Sequence, residues 1–342
     1  MAIVVRVRFQ SLLMSSETLR FLNAQEVKAA LPMREAVRAM RDAFTASSDG
    51  RADVPLRTHL PVPDSSASAL FMPAATSLPP RLGSKILTLF PDNPSKGRPF
   101  IHGLVIMFDT RTGRPAGVLE GMTLTAIRTG AASGLATQLL ARRNSSTVGI
   151  IGSGAQARTQ LEAVCTVRKI TEVRVFSPTL KHARRFAREM SNVGPVPEVR
   201  VAKSAGEAAD GADVICAATP AVRPVLGLGD ISRGAHINAV GSFTPKMREI
   251  APALVQRAKL FVDSKEAALA EAGELIDCVA DGSIGRELVE LGEVVSGTET
   301  GRENNDHITL FKSVGLAVQD LCAAEVALRR AKRLGIGTVA KL

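Results

Sequence analysis

Hydrophobic positions recur with a helical period near the start of the chain and then change to short extended runs. Apolar residues three and four positions apart predict a helix over residues 33–47, and Asn23 with Glu26 is typical of a helix cap before it. Prolines then interrupt the chain repeatedly, and the apolar runs between turns predict a mostly antiparallel sheet. Its strands are predicted at residues 56–60, 68–73, 82–90, 103–109 and 117–120.

Beyond residue 146, apolar runs of strand length alternate with helical patterns. Strands are predicted at residues 148–151, 172–176, 199–201, 213–217, 236–240 and 260–262. This alternation is typical of a doubly wound parallel sheet. Two longer helices are also predicted: one rich in small residues over 123–142, and a last one over 309–334 that we expect to return to the first domain.

The length of 342 residues exceeds what one ordinary hydrophobic core fills, so two domains are expected. We predict an α/β protein with a Rossmann-type doubly wound parallel-sheet domain over residues 128–319. Residues 1–127 together with 320–342 are predicted to form an α+β domain. Residues 1–13 carry arginines within an apolar run and lack a small-residue cleavage site, so we interpret them as an upstream extension or an edge strand, not as a signal peptide.

A glycine-rich turn joins the first strand of the alternating region to the helix that follows. In the run Gly152-Ser153-Gly154-Ala155-Gln156-Ala157, the glycines permit a tight turn and a close approach of backbone to a pyrophosphate. The helix then offers free N–H groups and a positive dipole end to phosphates. The turn therefore predicts dinucleotide binding, with an unliganded α/β domain as the alternative.

The end of the second strand determines which dinucleotide is expected. NAD-preferring sites place a carboxylate there to hold the ribose 2′-hydroxyl, whereas this chain has Ser177-Pro178-Thr179. Lys181, His182 and Arg184 follow and are positively charged or able to become so. We therefore predict NADPH, with NADH possible; the alternative is that these cations are only the exposed start of a helix.

Composition changes this interpretation little. The net charge of +10 is scattered along the chain and favours a basic solvated surface, and the absence of Trp and Tyr argues against base-stacking platforms for nucleic acid. No run of 18 apolar residues is present, so no membrane partner is expected. The four cysteines lie far apart and away from the histidines, which indicates buried reduced thiols in a cytoplasmic protein and no metal site.

The polar residues that stand out for chemistry are cationic. Arg57 follows Pro55 and Leu56 at the start of a predicted strand. Lys85 lies inside a largely apolar predicted strand, and Arg128 lies in the small-residue helix. A planar guanidinium binds a carboxylate with two hydrogen bonds, so these cations are candidates for a carboxylate clamp. A surface or edge position for Lys85, and an ordinary helix-surface position for Arg128, remain the alternatives. His102, at a strand start, is a candidate for the substrate pocket or a structural residue.

From about residue 20 to 335 the sequence resembles the ornithine cyclodeaminase/μ-crystallin family. The resemblance is carried by GSKILTLFPDNPSKGRPFIHGLVIMFDTRTGRPAGVLEG (83–121), LTAIRTGAASGLAT (124–137), IIGSGAQA (150–157), NAVGSFTPKMREI (238–250), LGEVVSG (291–297) and ITLFKSVGLAVQDL (308–321). It implies a homodimer in which the first domain binds substrate and forms the dimer interface. It also implies that Arg57, Lys85 and Arg128 hold a substrate carboxylate beside a nicotinamide.

The family includes ornithine and lysine cyclodeaminases, an alanine dehydrogenase and ketimine reductases, and Phe243 helps to choose among them. Family cyclodeaminases carry an Asp at this position of the NAVGG-type motif to handle the substrate amine, and a phenyl ring cannot act as a base. We therefore expect reduction of Δ1-pyrroline-2-carboxylate or Δ1-piperideine-2-carboxylate, in proline or related metabolism. Cyclodeaminase, alanine dehydrogenase and a non-catalytic NADP-binding protein remain alternatives.

The predicted site divides into three groups. Lys85, Arg57 and Arg128 are the catalytic candidates, and His102 and Phe243 are the further candidates for the substrate pocket. The predicted cofactor-binding residues are Arg128, Thr129, Gly152, Gly154, Ala155, Gln156, Ser177, Thr179, Thr219, Val240 and Gly241.

Overall fold

The structure is a computed structural model that describes residues 18–341. The extension or edge strand that we predict for residues 1–13 lies outside the described residues. Within them the chain builds two sheets, one mostly antiparallel and one parallel, and the order of elements follows the two patterns seen in the sequence.

The first sheet contains the seven strands of residues 18–120 and the last strand of the described chain. Its strands are β1 (Thr18–Leu22), β2 (Ala52–Asp53), β3 (Thr58–Pro61), β4 (Ser68–Ser77), β5 (Pro80–Leu89), β6 (Ile101–Phe108), β7 (Pro115–Glu120) and β16 (Thr338–Lys341). They are ordered β16-β1-β7-β6-β5-β4-β2, with β3 also pairing β4. All neighbours are antiparallel except β1 and β7, so the predicted mostly antiparallel sheet is confirmed.

Four helices pack on the inner face of this sheet. They are α1 (Ala24–Ala30), α2 (Met33–Ser48), α3 (Gly121–Leu140) and α11 (Ala317–Leu334). Asn23 and Glu26 form the predicted reciprocal cap of α1, because each side chain accepts a hydrogen bond from the backbone N–H of the other residue. The small residues of α3 allow the helix to be buried along most of its length between its neighbours.

The second sheet consists of eight parallel strands. They are β8 (Thr147–Ile151), β9 (Glu172–Phe176), β10 (Val199–Val201), β11 (Val214–Ala217), β12 (His236–Ala239), β13 (Lys259–Val262), β14 (Val289–Glu290) and β15 (Thr309–Lys312), in the order β10-β9-β8-β11-β12-β15-β13-β14. The remaining helices are α4 (Ala155–Val167), α5 (Leu180–Met190), α6 (Ala205–Ala209), α7 (Pro252–Arg257), α8 (Lys265–Glu271), α9 (Gly273–Ala280) and α10 (Leu291–Ser296). The fold is therefore α/β with a Rossmann-type doubly wound sheet, as predicted.

The prediction of one helix over residues 309–334 is wrong at its start. Thr309–Lys312 is a strand, fully buried between β12 and β13, and the helix begins only at Ala317. A short apolar run has no period that separates a buried strand from a buried helix, which explains the error. The end of the helix at Gly335, in the left-handed conformation, agrees with the prediction.

Helix α3 contacts β5, β6 and β7 of the first sheet and also α4, β12 and β15, whereas α11 packs on α3 and on β4, β5 and β6. One continuous hydrophobic core includes residues of both sheets and of both helices. The boundaries that we predict at residues 127/128 and 319/320 fall inside these two helices. The division into two domains remains a proposal. Helices α3 and α11 thus both lie where this division would fall.

Candidate active site

The glycine-rich turn lies at the carboxyl end of β8. Gly152 has a φ of +108°, a conformation that residues with a Cβ rarely adopt. Gly154 is the N-cap of α4, and a Cβ built on it would meet no atom within 4 Å. The turn thus leaves open space directly in front of the first N–H groups of α4, which is the geometry that a pyrophosphate requires.

A cleft with a volume of about 810 Å³ opens above this turn, within the range usual for small-molecule sites. Six of the predicted cofactor residues line it: Gly152, Gly154, Ala155, Ser177, Thr179 and Thr219. The residues present therefore fit a dinucleotide whose pyrophosphate lies on the start of α4. Gln156, the next residue of the turn, is absent from the lining of the cleft.

At the end of β9 the cleft is polar and positively charged. Ser177 accepts a hydrogen bond from the Ser153 hydroxyl at 3.1 Å, and no carboxylate follows it directly. His182 lines the cleft as predicted, but Arg158 and Arg185 line it instead of Lys181 and Arg184. Helical spacing could have found Arg185, because it lies three residues after His182 on the same face of α5.

Glu189 binds both of these arginines. One carboxylate oxygen accepts from Arg185 Nε at 2.6 Å, and the other accepts from Arg158 Nη2. The two arginine contacts lower the pKa of Glu189 to about 2, so this carboxylate is ionised. The end of the cleft consequently carries two guanidinium groups and one carboxylate, together with the His182 ring.

The two predicted cofactor residues Val240 and Gly241 lie at the carboxyl end of β12, beside Thr219 at the end of β11. A Cβ on Gly241 would be 2.2 Å from the Thr219 carbonyl oxygen, so these two strand ends touch through backbone. In an open parallel sheet, ligands bind beyond the carboxyl ends of the strands. The ends of β11 and β12, which carry the predicted cofactor residues Thr219, Val240 and Gly241, are therefore adjacent.

A second group of charged side chains is buried between β5, α3 and α11. Lys85 Nζ lies 2.7 Å from one carboxylate oxygen of Asp320, and Arg128 Nε donates to the other at 3.0 Å. Arg128 also donates to Gln319 Oε1 at 2.8 Å. All four side chains are almost completely buried, so the surface and helix-surface alternatives for Lys85 and Arg128 are wrong. We refer to Lys85, Arg128 and Asp320 as the cation cluster.

Burial has a strong effect on the charge of Lys85. Desolvation and the neighbouring Arg128 guanidinium lower the pKa of Lys85 to about 7, although Asp320 acts in the opposite direction. The lowered pKa brings the neutral amine within reach near neutral pH, which suits a group that gains or releases a proton during a reaction.

Arg57 lies next to this cluster, and its charge also contributes to lowering the pKa of Lys85. Its guanidinium contacts Glu271 Oε1 at 2.9 Å and donates to the carbonyl oxygens of Val314 and Gly315 at 3.0 and 2.9 Å. The three predicted cations are therefore brought together from β5, α3 and the loop before β3. The chain itself supplies counterions for all three.

Asp320, Gln319 and Glu271 are the site residues that the sequence interpretation missed. Arg128 and Asp320 are 192 residues apart in the chain, and a single carboxylate in a helix carries no local signal of such a partner. The presence of Lys85 within an apolar strand was an indirect signal, because a buried cation requires a counterion.

The structure separates His102 from the cation cluster, and a substrate contact by His102 remains a prediction. His102 pairs with Thr88 in the register of β5 and β6, whereas Lys85 pairs with Val105. Side chains alternate between the faces of a sheet, and these two residues therefore point to opposite faces. His102 is exposed on the outer face.

Three other predicted site residues do not line the dinucleotide cleft. Arg128 and Thr129 are buried in α3 and are not among the residues that line the dinucleotide cleft. Thr129 accepts a hydrogen bond from Gln160 of α4 through its carbonyl oxygen. Phe243 is half-buried in the loop that follows Gly241. Cofactor contacts by Arg128 and Thr129, and a substrate contact by Phe243, remain predictions.

Among residues 18–341 no helix is long and apolar enough to cross a membrane. The same residues contain no group of three His, Cys, Asp or Glu side chains arranged to hold a metal ion.

Comparison with known proteins agrees with this geometry. The chain is 40% identical over 319 residues to a Δ1-pyrroline-2-carboxylate reductase of Bacillus cereus, covering 92% of this chain and 98% of that one. The Thermococcus litoralis Δ1-pyrroline-2-carboxylate reductase, solved with NADH and L-proline, superimposes with a TM-score of 0.89 at 41% identity, covering 93% of this chain and 99% of that one.

An archaeal alanine dehydrogenase, solved as a dimer with bound NAD, superimposes with a TM-score of 0.88 at 34% identity, covering 95% of this chain and 99% of that one. The profile of the ornithine cyclodeaminase/mu-crystallin family matches residues 17–333, nearly the whole chain. The protein is therefore a member of the ornithine cyclodeaminase/mu-crystallin family.

Proposed function

We propose that the protein is an oxidoreductase that reduces a cyclic ketimine carboxylate, Δ1-pyrroline-2-carboxylate or Δ1-piperideine-2-carboxylate, to the cyclic L-amino acid with a reduced nicotinamide cofactor. The observation that carries the proposal is the pairing of a dinucleotide cleft with the buried cation cluster and Arg57. Reductases of this class stand at 40% and 41% identity over nearly the full length.

The residues of the chain have distinct roles in this reaction. Arg57 and Arg128 orient the substrate carboxylate, so that the C=N carbon is held against the cofactor and less entropy is lost at the transition state. The reduced nicotinamide, when bound, supplies the hydride. Lys85 completes the carboxylate site and exchanges a proton with the substrate nitrogen, directly or through water, because its pKa of about 7 allows both protonation states.

The substrate carboxylate enters a region that already contains protein carboxylates. Asp320 balances Lys85 and Arg128, while Glu271 pairs with Arg57. Arg57 is the cation best placed to exchange its partner, since its side chain is about 10% exposed whereas Lys85 is 1% exposed. We infer that binding of the substrate carboxylate competes with Glu271 for the Arg57 guanidinium.

Within the nicotinamide cofactors we propose NADPH as the preferred reductant. Ser177 stands where an NAD-preferring site has a carboxylate, and Arg158, His182 and Arg185 line the same end of the cleft. Hydroxyl groups and cations suit a 2′-phosphate. Glu189 offsets part of the positive charge, so NADH remains a usable alternative.

Phe243 distinguishes this reaction from ornithine cyclodeamination. The half-buried phenyl ring in the loop after Gly241 offers no acceptor for a second substrate amine. A cyclic imine has no such amine, and its ring suits an apolar neighbour. Alanine dehydrogenase activity is the second candidate, because the archaeal relative with bound NAD is also similar over nearly the whole chain.

The experiment that tests the function is a substrate panel with both reduced cofactors. Purified protein should oxidise NADPH faster than NADH with either cyclic imine, followed by the near-ultraviolet absorbance of the reduced cofactor. Ornithine with NAD, and pyruvate with ammonia and NADH, test the two enzymatic alternatives. Tight cofactor binding without turnover of any substrate would instead identify a non-catalytic NADP-binding protein and reject the proposal.

We also propose a homodimer formed through the outer face of the first sheet. Four large apolar residues, Leu60, Phe71, Leu82 and Leu104, are exposed there, and the strand registers put all four on the face opposite Lys85. Among the helices of residues 18–341, those that contact this sheet lie on its inner face. A contiguous apolar sheet face of this kind is typical of an interface, and the similar alanine dehydrogenase is a dimer.

The oligomeric state is tested by light scattering during size-exclusion chromatography. Wild-type protein should elute as a dimer, and Leu104→Glu should shift it towards the monomer because it places a charge in the apolar face. Val222→Glu, which changes a residue that is also exposed but lies on the parallel-sheet side, is the matched control. Four buried cysteines further support a reducing compartment, and we propose the cytoplasm.

A further inference from the structure

Glu249 is a buried carboxylate that belongs neither to the glycine-rich turn nor to the cation cluster. Its side chain is fully buried in the loop between β12 and α7. Oxygen Oε1 accepts from the Thr219 amide at 2.7 Å and from the Thr219 hydroxyl at 2.9 Å. Oxygen Oε2 accepts from the amides of Gly241 at 2.6 Å and Ser242 at 3.2 Å. One carboxylate therefore binds the ends of two neighbouring strands.

The backbone of Glu249 extends the same connection. Its carbonyl oxygen accepts from the amides of Val225 at 2.8 Å and Leu226 at 3.2 Å. Val225 and Thr219 both line the dinucleotide cleft. Through its side chain and its backbone, Glu249 thus contacts two residues of the cleft wall, Thr219 and Val225, and also the end of β12.

The two strand ends are packed so closely that there is no space for a side chain at Gly241. A Cβ on Gly241 would lie 2.2 Å from the Thr219 carbonyl oxygen, 2.3 Å from the Thr219 amide nitrogen and 2.6 Å from Glu249 Oε1. Two backbone amides, of Thr219 and Gly241, are directed towards the same point. A carboxylate has only acceptors, so it satisfies both amides at once.

A second buried group supports the position of Glu249. Lys312, at the end of β15, donates to the carbonyl and hydroxyl oxygens of Ser242 at 2.5 Å and lies 3.2 Å from Glu274 Oε1. The Ser242 hydroxyl also contacts Glu274. Burial raises the pKa of Glu249, whereas the charge of Lys312 and the donors of Thr219 oppose the rise. All four groups that contact the carboxylate are donors, which favours its ionised form.

We propose that Glu249 is a positioning residue for the nicotinamide half of the cofactor. By holding the ends of β11 and β12 together, it shapes the part of the crevice farthest from the 2′-phosphate end, where the hydride donor must lie. The inference rests on the dinucleotide binding of the proposed function, but it is independent of which imine is reduced. Glu249 itself is not among the residues that line the cleft, so it acts through the strand ends that it binds.

Substitution by Gln tests the proposal because an amide cannot replace both carboxylate oxygens. The Oε1 of a Gln can accept from one strand end, but its NH₂ group then faces the N–H of the other. We expect Glu249→Gln to separate the ends of β11 and β12 without changing the volume of the side chain. Gly241→Ala separates the same two strand ends by steric contact and serves as an independent second variant.

The measurement compares a whole cofactor with a fragment that lacks nicotinamide. For each protein, calorimetric titration gives the Kd of NADPH and of 2′-phospho-ADP-ribose. We expect both variants to weaken NADPH binding at least about tenfold and to change fragment binding by less than about twofold, with kcat reduced about a hundredfold. Equal weakening of both ligands would mean a purely structural role and would overturn the proposal, as would unchanged binding of both.

Asp213→Asn is the matched control. Asp213 also accepts two backbone amides, of Ser146 and Thr147, but it lies at the amino ends of β8 and β11, away from the cleft. We expect this variant to lower the melting temperature and leave both Kd values unchanged. Binding is measured without substrate, so the two proposals are tested separately. A protein that reduces neither imine would reject the proposed function, and the two Kd values would still test the role of Glu249.

Discussion

The dinucleotide cleft and the cation cluster are both built to receive anions, but they use opposite means. The cleft presents backbone N–H groups at the start of α4, and its glycine-rich turn is contiguous in sequence and open to solvent. The cation cluster takes Lys85, Arg128 and Asp320 from β5, α3 and α11 and buries them. The first depends on backbone conformation, whereas the second depends on a balance of charges.

The largest effect should follow the removal of the counterion from the cation cluster. Asp320→Asn leaves Arg128 buried without a carboxylate, and breaking a buried ion pair in this way costs about 3–5 kcal/mol. We expect unfolding in urea to show a loss of that size, together with loss of imine reduction. Adding Lys85→Met should restore part of the stability, because one fewer cation then needs a partner. A loss below about 1 kcal/mol would contradict the importance of charge balance.

Removal of Lys85 alone should affect catalysis more than folding. In Lys85→Met, Asp320 still pairs with Arg128, so the remaining charges stay balanced. We expect kcat/KM for the imine to fall at least about a hundredfold, as is usual for loss of a group that transfers a proton, while NADPH binding is unchanged. Steady-state kinetics and cofactor titration separate the two quantities. Unchanged imine reduction would reject the role that we propose for Lys85.

The cleft offers a smaller but more specific test. Ser177→Asp places a carboxylate at the end of β9, where it repels a 2′-phosphate and accepts hydrogen bonds from a ribose 2′-hydroxyl. We expect the ratio of kcat/KM for NADPH to that for NADH to fall about tenfold or more, which corresponds to about 1.4 kcal/mol. Ser153→Asn, which changes the residue that donates to Ser177, is the control. An unaltered ratio would mean that Arg158 and Arg185 alone determine cofactor choice.

The pH dependence of ligand binding should give the smallest effect. The pKa of Lys85 is lowered from 10.5 to about 7, so the ammonium form that attracts a carboxylate is present below pH 7 and is lost as the pH rises through that value. We expect the affinity for cyclopentanecarboxylate, which has no nitrogen to titrate, to decline above pH 7, up to about tenfold. In Lys85→Arg, which stays charged, the decline should disappear. A decline in both proteins would point to another titrating group.

The sign for stability is opposite to that for binding. Between pH 7 and 10.5 the unfolded chain binds a proton at Lys85 that the folded chain does not, so stability increases with pH in this window. The contribution of Lys85 is therefore least favourable below pH 7, where both states are protonated and the folded state buries the charge.

The two regions also differ in how far the sequence predicted them. The turn from Gly152 to Ala157 and the strand after it were correctly placed, because a tight turn and a helix start have local signals. Lys85 and Arg128 were identified as candidates, but their shared partner Asp320 was not. Charge pairing between α3 and α11 depends on the packing of helices that are far apart in the chain.

One error in the parallel sheet and the position of His102 in the first sheet have a similar origin. Thr309–Lys312 is a strand because its neighbours β12 and β13 pair with both of its edges, and nothing within four residues reveals those neighbours. His102 was placed in the pocket from its position at the start of a strand. Only the register between β5 and β6 determines the face to which it points. Long-range pairing, not local propensity, decides both cases.

The position of β15 has a consequence for synthesis of the protein. This strand inserts between β12 and β13 in the middle of the sheet, yet it is translated after both of them. A nascent chain that has emerged only to residue 300 therefore holds two half-sheets with unpaired edges, and Lys85 and Arg128 still lack Asp320. The parallel sheet can therefore close only after the last portion of the chain has left the ribosome, and until then the facing edges of β12 and β13 have no partner strand.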